Sequence, residues 1–219
     1  MEQKSTRHVG LNPDEVNSHH IYMFFKRVFD FIISAIALIV LSPVFLIVAI
    51  CIKHEDGGPI FYSQTRLGKG EKPFKMWKFR SMCVGADKMK ESLISQNEVD
   101  GAMFKMKDDP RITKVGKVIR KYSIDELPQL WNVLCGDMSL VGPRPPLERE
   151  VAQYTDYDKL RLLVEPGCTG LWQVTLRNDA SFQQMVELDL EYISKRSLWY
   201  DFTILVRTIG VIIKPNGAY

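Results

Sequence analysis

Between Phe31 and Ile52 the chain runs for 22 residues without a charged side chain, FIISAIALIVLSPVFLIVAICI, and a proline stands near the middle. As a helix this run would be about 33 Å long, enough to cross the hydrocarbon of a bilayer. Its polar stripe is limited to Ser34 and Ser42, thinner than a buried helix of a soluble core keeps. A cleavable signal peptide does not fit, because the run is too long, starts too late and lacks a small-x-small site after it. Pro43 has no N–H, and its ring clashes with the carbonyl of Ile39, so the helix must kink or break there. The Ser42 hydroxyl is placed to satisfy one freed backbone group. Lys26 and Arg27 precede the run, while Lys53, Lys69 and Lys72 follow it. A straight crossing would strand one basic cluster on the wrong side, whereas a broken helix that returns to the same face satisfies both. A re-entrant hairpin is therefore expected over 23–53, with a kinked span as the alternative and Asp30 near the interface.

Residues 1–22 are polar and read as a flexible tail, in which His19–His20 are simply solvated. The rest, 54–219, reads as one catalytic domain, and the chain as a whole has the 46% apolar and 25% charged balance of a globular protein. A net charge of +3 is too mild to argue for nucleic acid. Cys51, Cys83, Cys135 and Cys168 form no C-x-x-C pair, which points to a reducing compartment rather than a disulfide framework or structural zinc. Extended pieces are expected at 58–64 and 73–80 around a turn at Gly68–Gly70, and helices at 84–95 and 181–196. The stripe of the second helix is Phe182, Met185, Leu188 and Tyr192. An amphipathic helix over 198–213, interrupted by Asp201 and Arg207, suits a membrane surface. From Lys53 to Lys90 nine Lys/Arg face four Asp/Glu, with aromatics interleaved. Such a surface suits headgroups or an anionic ligand, and equally a plain solvated face.

The chemistry concentrates in DDPRITKVGKVIRKYSIDELPQLWNVLCGDMSLVGPRP (108–145). Ser123-Ile-Asp-Glu126 matches a capping box, but Pro128 would then fall inside the helix. With Asp125 as N-cap the proline falls harmlessly in the first turn. Two adjacent ionised carboxylates repel, and a hard divalent cation sharing phosphate ligands relieves that. Arg111, Lys114, Lys117, Arg120 and Lys121 precede the pair. Arg144 follows, stiffened by Pro143 and Pro145 into a fork suited to phosphate. Capping and metal-assisted chemistry both remain open on the residues alone. Asp156-x-Asp158 matches a metal-binding D-x-D but sits in a polar stretch with no strand before it.

These pieces, with KRVFD (26–30), Ser42–Pro43, GGPIFYSQTRLGKG (57–70), FKMWKFRSM (74–82) and EPGCTGLWQV (165–174), resemble the bacterial sugar transferase family, the monotopic phosphoglycosyl transferases. The resemblance covers about 23–214. It implies a mostly α fold with a little β: a re-entrant helix broken at Ser42–Pro43, and a compact cytoplasmic catalytic domain with interfacial amphipathic helices. It implies transfer of a sugar 1-phosphate from a UDP-sugar to undecaprenyl phosphate, with UMP leaving, at the cytoplasmic face of the bacterial inner membrane. The product would begin an exopolysaccharide, capsule, O-antigen or protein-linked glycan. Asp125 matches the nucleophile and Mg²⁺ ligand, with Mn²⁺ an alternative ion, and Glu126 the second member of the dyad. Arg120 and Arg144 match phosphate binders, and Lys78 and Arg80 match the Lys-Phe-Arg motif with phosphate or structural roles. Cys168 departs from an expected aliphatic residue, and the chain reads as the minimal form without a multi-span N-terminal region. Donor choice is expected in 83–107 and 146–180, and a homo-oligomer is compatible with the sequence. Competing readings are a scaffold that keeps the fold and a UDP-releasing glycosyltransferase using Asp156 and Asp158.

Overall fold

The computed structural model describes residues 10–86, 88–89, 106, 109–176 and 180–213. The helix expected over 84–95 and most of the 83–107 insert lie outside the described residues. The described chain is mostly helical, with two small two-stranded sheets.

The segment before residue 22 differs from a loose tail where it is described. Helix α1 (Pro13–Ser18) starts with proline in the first turn, and Asn12 Oδ1 accepts from Asp14 N at 3.0 Å. Val16 is buried in the main core, and the Arg196 guanidinium donates to the Val16 carbonyl. One apolar side chain and one captured carbonyl suffice to order a short polar helix.

Helices α2 (His20–Val40) and α3 (Ser42–Asp56) meet at the expected break, bent by 59°. Pro43 cannot donate to Ile39 O, and the Ser42 hydroxyl donates to it instead at 2.7 Å. No single described helix is long and apolar enough to cross a membrane, while the bent pair passes that test together. Phe24, Phe25, Ile32, Ile36 and Ile39 of α2 and Leu46, Ile47 and Ile50 of α3 are exposed.

The charges near α2 do more than flank an apolar run. Lys26 reaches Asp201 at 2.8 Å and Asp30 at 3.8 Å. Asp30 is 4% exposed and accepts from Leu140 N, so it is an internal residue rather than an interfacial one. Arg27 donates to Val133 O and Leu134 O, carbonyls in the last turn of α5, whose range follows below.

A hairpin follows, β1 (Phe61–Leu67) antiparallel to β2 (Pro73–Phe79), with Tyr62 opposite Lys78. Its turn needs a left-handed residue, and Gly70 supplies φ +63°. The first strand begins three residues later than the sequence suggests and runs three further, because Arg66 and Leu67 are drawn into the interior. Helix α4 (Lys114–Lys121) is capped by Thr113, whose hydroxyl accepts from Gly116 N. Helix α5 (Gln129–Cys135) ends at Gly136 with φ +92°. Asn132, 1% exposed, splices α5 to β2: its Oδ1 accepts from Trp77 N at 3.0 Å and its amide donates to Lys75 O at 2.7 Å.

The second sheet pairs β3 (Ser139–Val141) parallel to β4 (Gly167–Thr169). Around it pack α6 (Glu148–Val151), α7 (Asp156–Lys159), α8 (Leu171–Thr175), α9 (Phe182–Lys195) and α10 (Leu198–Ile213). Met185 and Tyr192 of the expected α9 stripe are buried, while Phe182 lies outside against Tyr154. On α10, Trp199, Phe202, Val206, Ile209 and Ile213 form an exposed apolar stripe at helical spacing. Asp201 does not interrupt that stripe. It points into the core, where it meets Lys26, Tyr22 and Tyr192.

Gly142 lets the two sheet strands close. A Cβ there would stand 2.6 Å from Glu165 O and 2.9 Å from Gly167 N, both backbone atoms. Gly142→Ala is therefore expected to lower stability by about 1–3 kcal/mol and to displace the Pro143–Arg144–Pro145 loop that follows. Chemical denaturation checks the first effect, and substrate binding the second.

Candidate active site

Three local devices bring the singled-out residues together. The first is the turn after α4. Ser123 adopts φ +55°, so its side chain caps nothing, and Ile124–Glu126 form a single 3-10 turn before α5. Neither the capping box nor an Asp125 N-cap forms, because the left-handed Ser123 turns the chain before the helix begins. The second is β2 and the residue that follows it, where extended backbone sets Lys78 and Arg80 on the same cavity wall. The third is the loop after β3, fixed by Gly142 N donating to Thr169 O at 2.9 Å and Gly167 N to Pro143 O at 2.8 Å.

Together they wall a cavity of about 440 Å³, within the range of small-molecule sites. Asp125, Lys78, Arg80, Arg120 and Arg144 line it, as do Arg66, Arg111, Arg149 and Glu150. Glu126 stands beside it, accepting from Lys78 Nζ at 2.6 Å. Arg66 and Arg149 are not evident as site residues from the sequence. Arg66 lies within the GGPIFYSQTRLGKG motif, and only its burial in the hairpin sets it apart from other basic residues. Arg80 is on the wall, but its guanidinium is held by both Asp56 oxygens and by Met82 O, which ties α3 to β2. Its present role is structural. Arg111 is likewise clamped by Asp109.

Asp125 is 9% exposed. Burial, and then the charge of Glu126, push its carboxyl up to about 6, against the pull of Lys78 and Arg120. Glu126 shares the desolvation, yet Lys78 at hydrogen-bond distance, with Arg144 and Arg66, holds it below the usual glutamate range. The dyad is thus a carboxylate that ionises reluctantly beside one that ionises readily, and the two have different jobs available to them.

No cluster of three or more His, Cys, Asp or Glu that could hold a metal occurs among the described residues. Asp158 is committed elsewhere: its Oδ2 accepts from Thr155 N and Thr155 Oγ1 as the cap of α7. The D-x-D spelling is a capping box.

Residues 21–215 match the family model described as bacterial sugar transferase. The chain belongs to the bacterial sugar transferase family. It is 46% identical over 90% of its length to a protein named galactosyl transferase CpsE from Streptococcus agalactiae, of which it covers 44%. It is 44% identical over 90% of its length to an undecaprenyl-phosphate galactose phosphotransferase from Salmonella typhimurium, of which it covers 42%. The exopolysaccharide production protein ExoY of Sinorhizobium fredii is 43% identical, and 88% of its length is covered. The chain thus spans less than half the length of the first two relatives and nearly all of the third.

Proposed function

We propose that this bacterial sugar transferase moves a sugar 1-phosphate from a UDP-sugar to undecaprenyl phosphate and releases UMP. The observation that carries the reading is the buried Asp125 in a cation-lined cavity, backed by Glu126 and Lys78. Asp125 would attack the β-phosphorus. A carboxylate P–O bond forms, the bridging P–O bond breaks, and UMP leaves with the electron pair. The acceptor's phosphate oxygen would then attack the same phosphorus and return Asp125 as carboxylate, leaving a lipid diphosphosugar. Arg120 and Arg144 carry no ion pair or side-chain hydrogen bond among the described residues and stand ready for phosphate. Lys78 orients Glu126 and favours ionised Asp125. The donor set suits Mg²⁺ or Mn²⁺, because two repelling carboxylates beside a diphosphate supply hard oxygen ligands. Asp125 with Glu126 would hold the ion, which would neutralise phosphate charge.

The bent α2–α3 pair and the outward apolar faces of α2, α3 and α10 support a re-entrant anchor with α10 lying in the interface. The working place would be the cytoplasmic face of the bacterial inner membrane. The hairpin would then comprise the bent pair from His20 to Asp56, slightly wider than the 23–53 expected, with the catalytic domain beyond it.

Nucleotide release tests the reaction. Purified protein in nanodiscs with Mg²⁺, undecaprenyl phosphate and a UDP-sugar panel should yield UMP. UDP instead would overturn the mechanism, and no nucleotide at all would favour a scaffold. A pH profile tests the roles within the dyad. The ionised Asp125 is the reactive form, so kcat/KM should fall as pH drops through about 6. Lys78→Gln removes a cation that favours ionisation, so the acid limb should move to higher pH. An unmoved limb would detach Lys78 from the dyad.

A further inference from the structure

Of the buried arginines that line the cavity, Arg66, Arg80 and Arg111, one has unfinished surroundings. Lys78, Arg80 and Arg111 each meet a carboxylate at hydrogen-bond distance. Arg66 does not, although it is only 7% exposed. Its Nη1 donates to Pro145 O at 3.1 Å and its Nη2 to Gln64 Oε1 at 2.8 Å. Its Nε has no partner among the described residues, and the nearest carboxylate, Glu150, stands 4.0 Å away. Burial and the neighbouring Arg144 lower its pKa to about 10. A buried guanidinium this poorly matched is stabilised when a hard anion arrives.

The cations that act most on the two carboxylates differ. Asp125 is influenced by Lys78 and Arg120, while Glu126 is influenced by Lys78, Arg144 and Arg66. Arg66 and Arg144 share one wall of the cavity, because Arg66 Nη1 holds the carbonyl of Pro145, the residue after Arg144.

We propose that Arg66 and Arg144 form one phosphate subsite on the Glu126 side, used first by the phosphate of UMP and then by the phosphate of the lipid acceptor. The inference rests on the double displacement proposed above. Displacement at phosphorus runs in line, so UMP departs opposite Asp125. The acceptor must attack Asp125-bound phosphorus along the same axis, from the place UMP has left. Such a subsite needs to recognise only a phosphate monoester. Arg66 suits that task, because its fork is fixed by two acceptors while its buried Nε lacks a partner among the described residues. Glu150 is the resting counter-ion, and an arriving phosphate takes over its role.

The test is equilibrium binding of UMP and of uridine to the full chain in phosphatidylcholine nanodiscs, without donor. UMP should bind at least about tenfold more tightly than uridine, and undecaprenyl phosphate should compete with it. Arg66→Lys keeps the charge but loses the fork, and should weaken UMP about tenfold while leaving uridine unchanged. Glu150→Gln should do the opposite and tighten UMP. Its amide oxygen can still accept from Leu147 N, the cap bond that Glu150 makes now at 2.8 Å, so this variant keeps the local fold. Simultaneous binding of UMP and undecaprenyl phosphate would overturn the shared subsite. So would unchanged UMP affinity in Arg66→Lys and Glu150→Gln, which would leave Arg66 as a fastener of the Pro145 loop. Either result can occur with UMP release intact and Asp125 essential, and then only this inference falls. Release of UDP by the unmodified chain would remove the parent reading as well.

Discussion

Asp125→Asn yields a folded protein that melts higher than the parent and turns over at no more than about a thousandth of its rate. The loss follows from the chemistry, since an amide cannot form the acyl-phosphate bond and is a poor ligand for a hard cation. The gain in stability follows from the site. The Asp125 carboxyl is raised from 3.8 to about 6, so the fold disfavours its ionised form. At pH 7 the group is above both values and the folded state carries that cost, roughly 1–3 kcal/mol. Asparagine removes the charge with little change of shape. The difference in melting point should therefore shrink as pH falls from about 6 towards 4, where the parent's carboxyl becomes protonated in the fold too. Thermal unfolding of both proteins at pH 5 and pH 7.5, alongside UMP release, reads the two effects together. Full activity in the variant would end the covalent mechanism. A lower melting point at pH 7.5 would show Asp125 to be a structural acid.

Asp201→Ala destabilises the protein by about 3–5 kcal/mol, a fall of roughly 10 °C in the melting midpoint. Asp201 is 3% exposed and gathers Lys26 Nζ at 2.8 Å, Tyr22 OH at 2.9 Å and Tyr192 OH at 2.7 Å. Removing it leaves a buried ammonium with only Asp30, 3.8 Å away. The same substitution should reduce turnover, because the Tyr192 hydroxyl also lies 3.0 Å from Val141 O, one residue before Gly142 and the Arg144 loop. Asp201→Asn keeps an acceptor and should cost less than the alanine. Unfolding in detergent decides the matter, and an alanine variant within about 1 kcal/mol of the parent would refute the account.

The sequence shows some of this arrangement plainly. A proline in an uncharged run announces its own break, and the serine beside it announces the repair, because both act within one helical turn. The hairpin is legible from Gly68 and Gly70 between aromatic runs. The family motifs mark Asp125, Glu126, Arg120 and Arg144 for one site, and the fold sets Asp125, Arg120 and Arg144 on the cavity wall with Glu126 beside it. What stayed hidden needs contacts across the chain. Asp30 and Asp201 look like interfacial acids until Lys26 is seen between them, 175 residues from Asp201 in sequence. Asp156-x-Asp158 spells a metal motif, yet Asp158 Oδ2 is engaged by Thr155 as a helix cap. Ser123 spells a capping box, yet one left-handed backbone angle prevents it. Arg66 reads as one more basic residue until its burial is known.

Helix α2 faces two ways, and this limits how the protein can be cut. Its inward side carries Lys26, Arg27, Asp30 and Ser34, which close the core, cap the helix behind the dyad and bind α10. Truncation before residue 54 would remove a wall of the folded body along with the exposed apolar face. A variant with a less apolar surface must keep the helix and repaint it, exchanging Phe24, Phe25, Ile32, Ile36 and Ile39 for polar residues while leaving the inward four untouched.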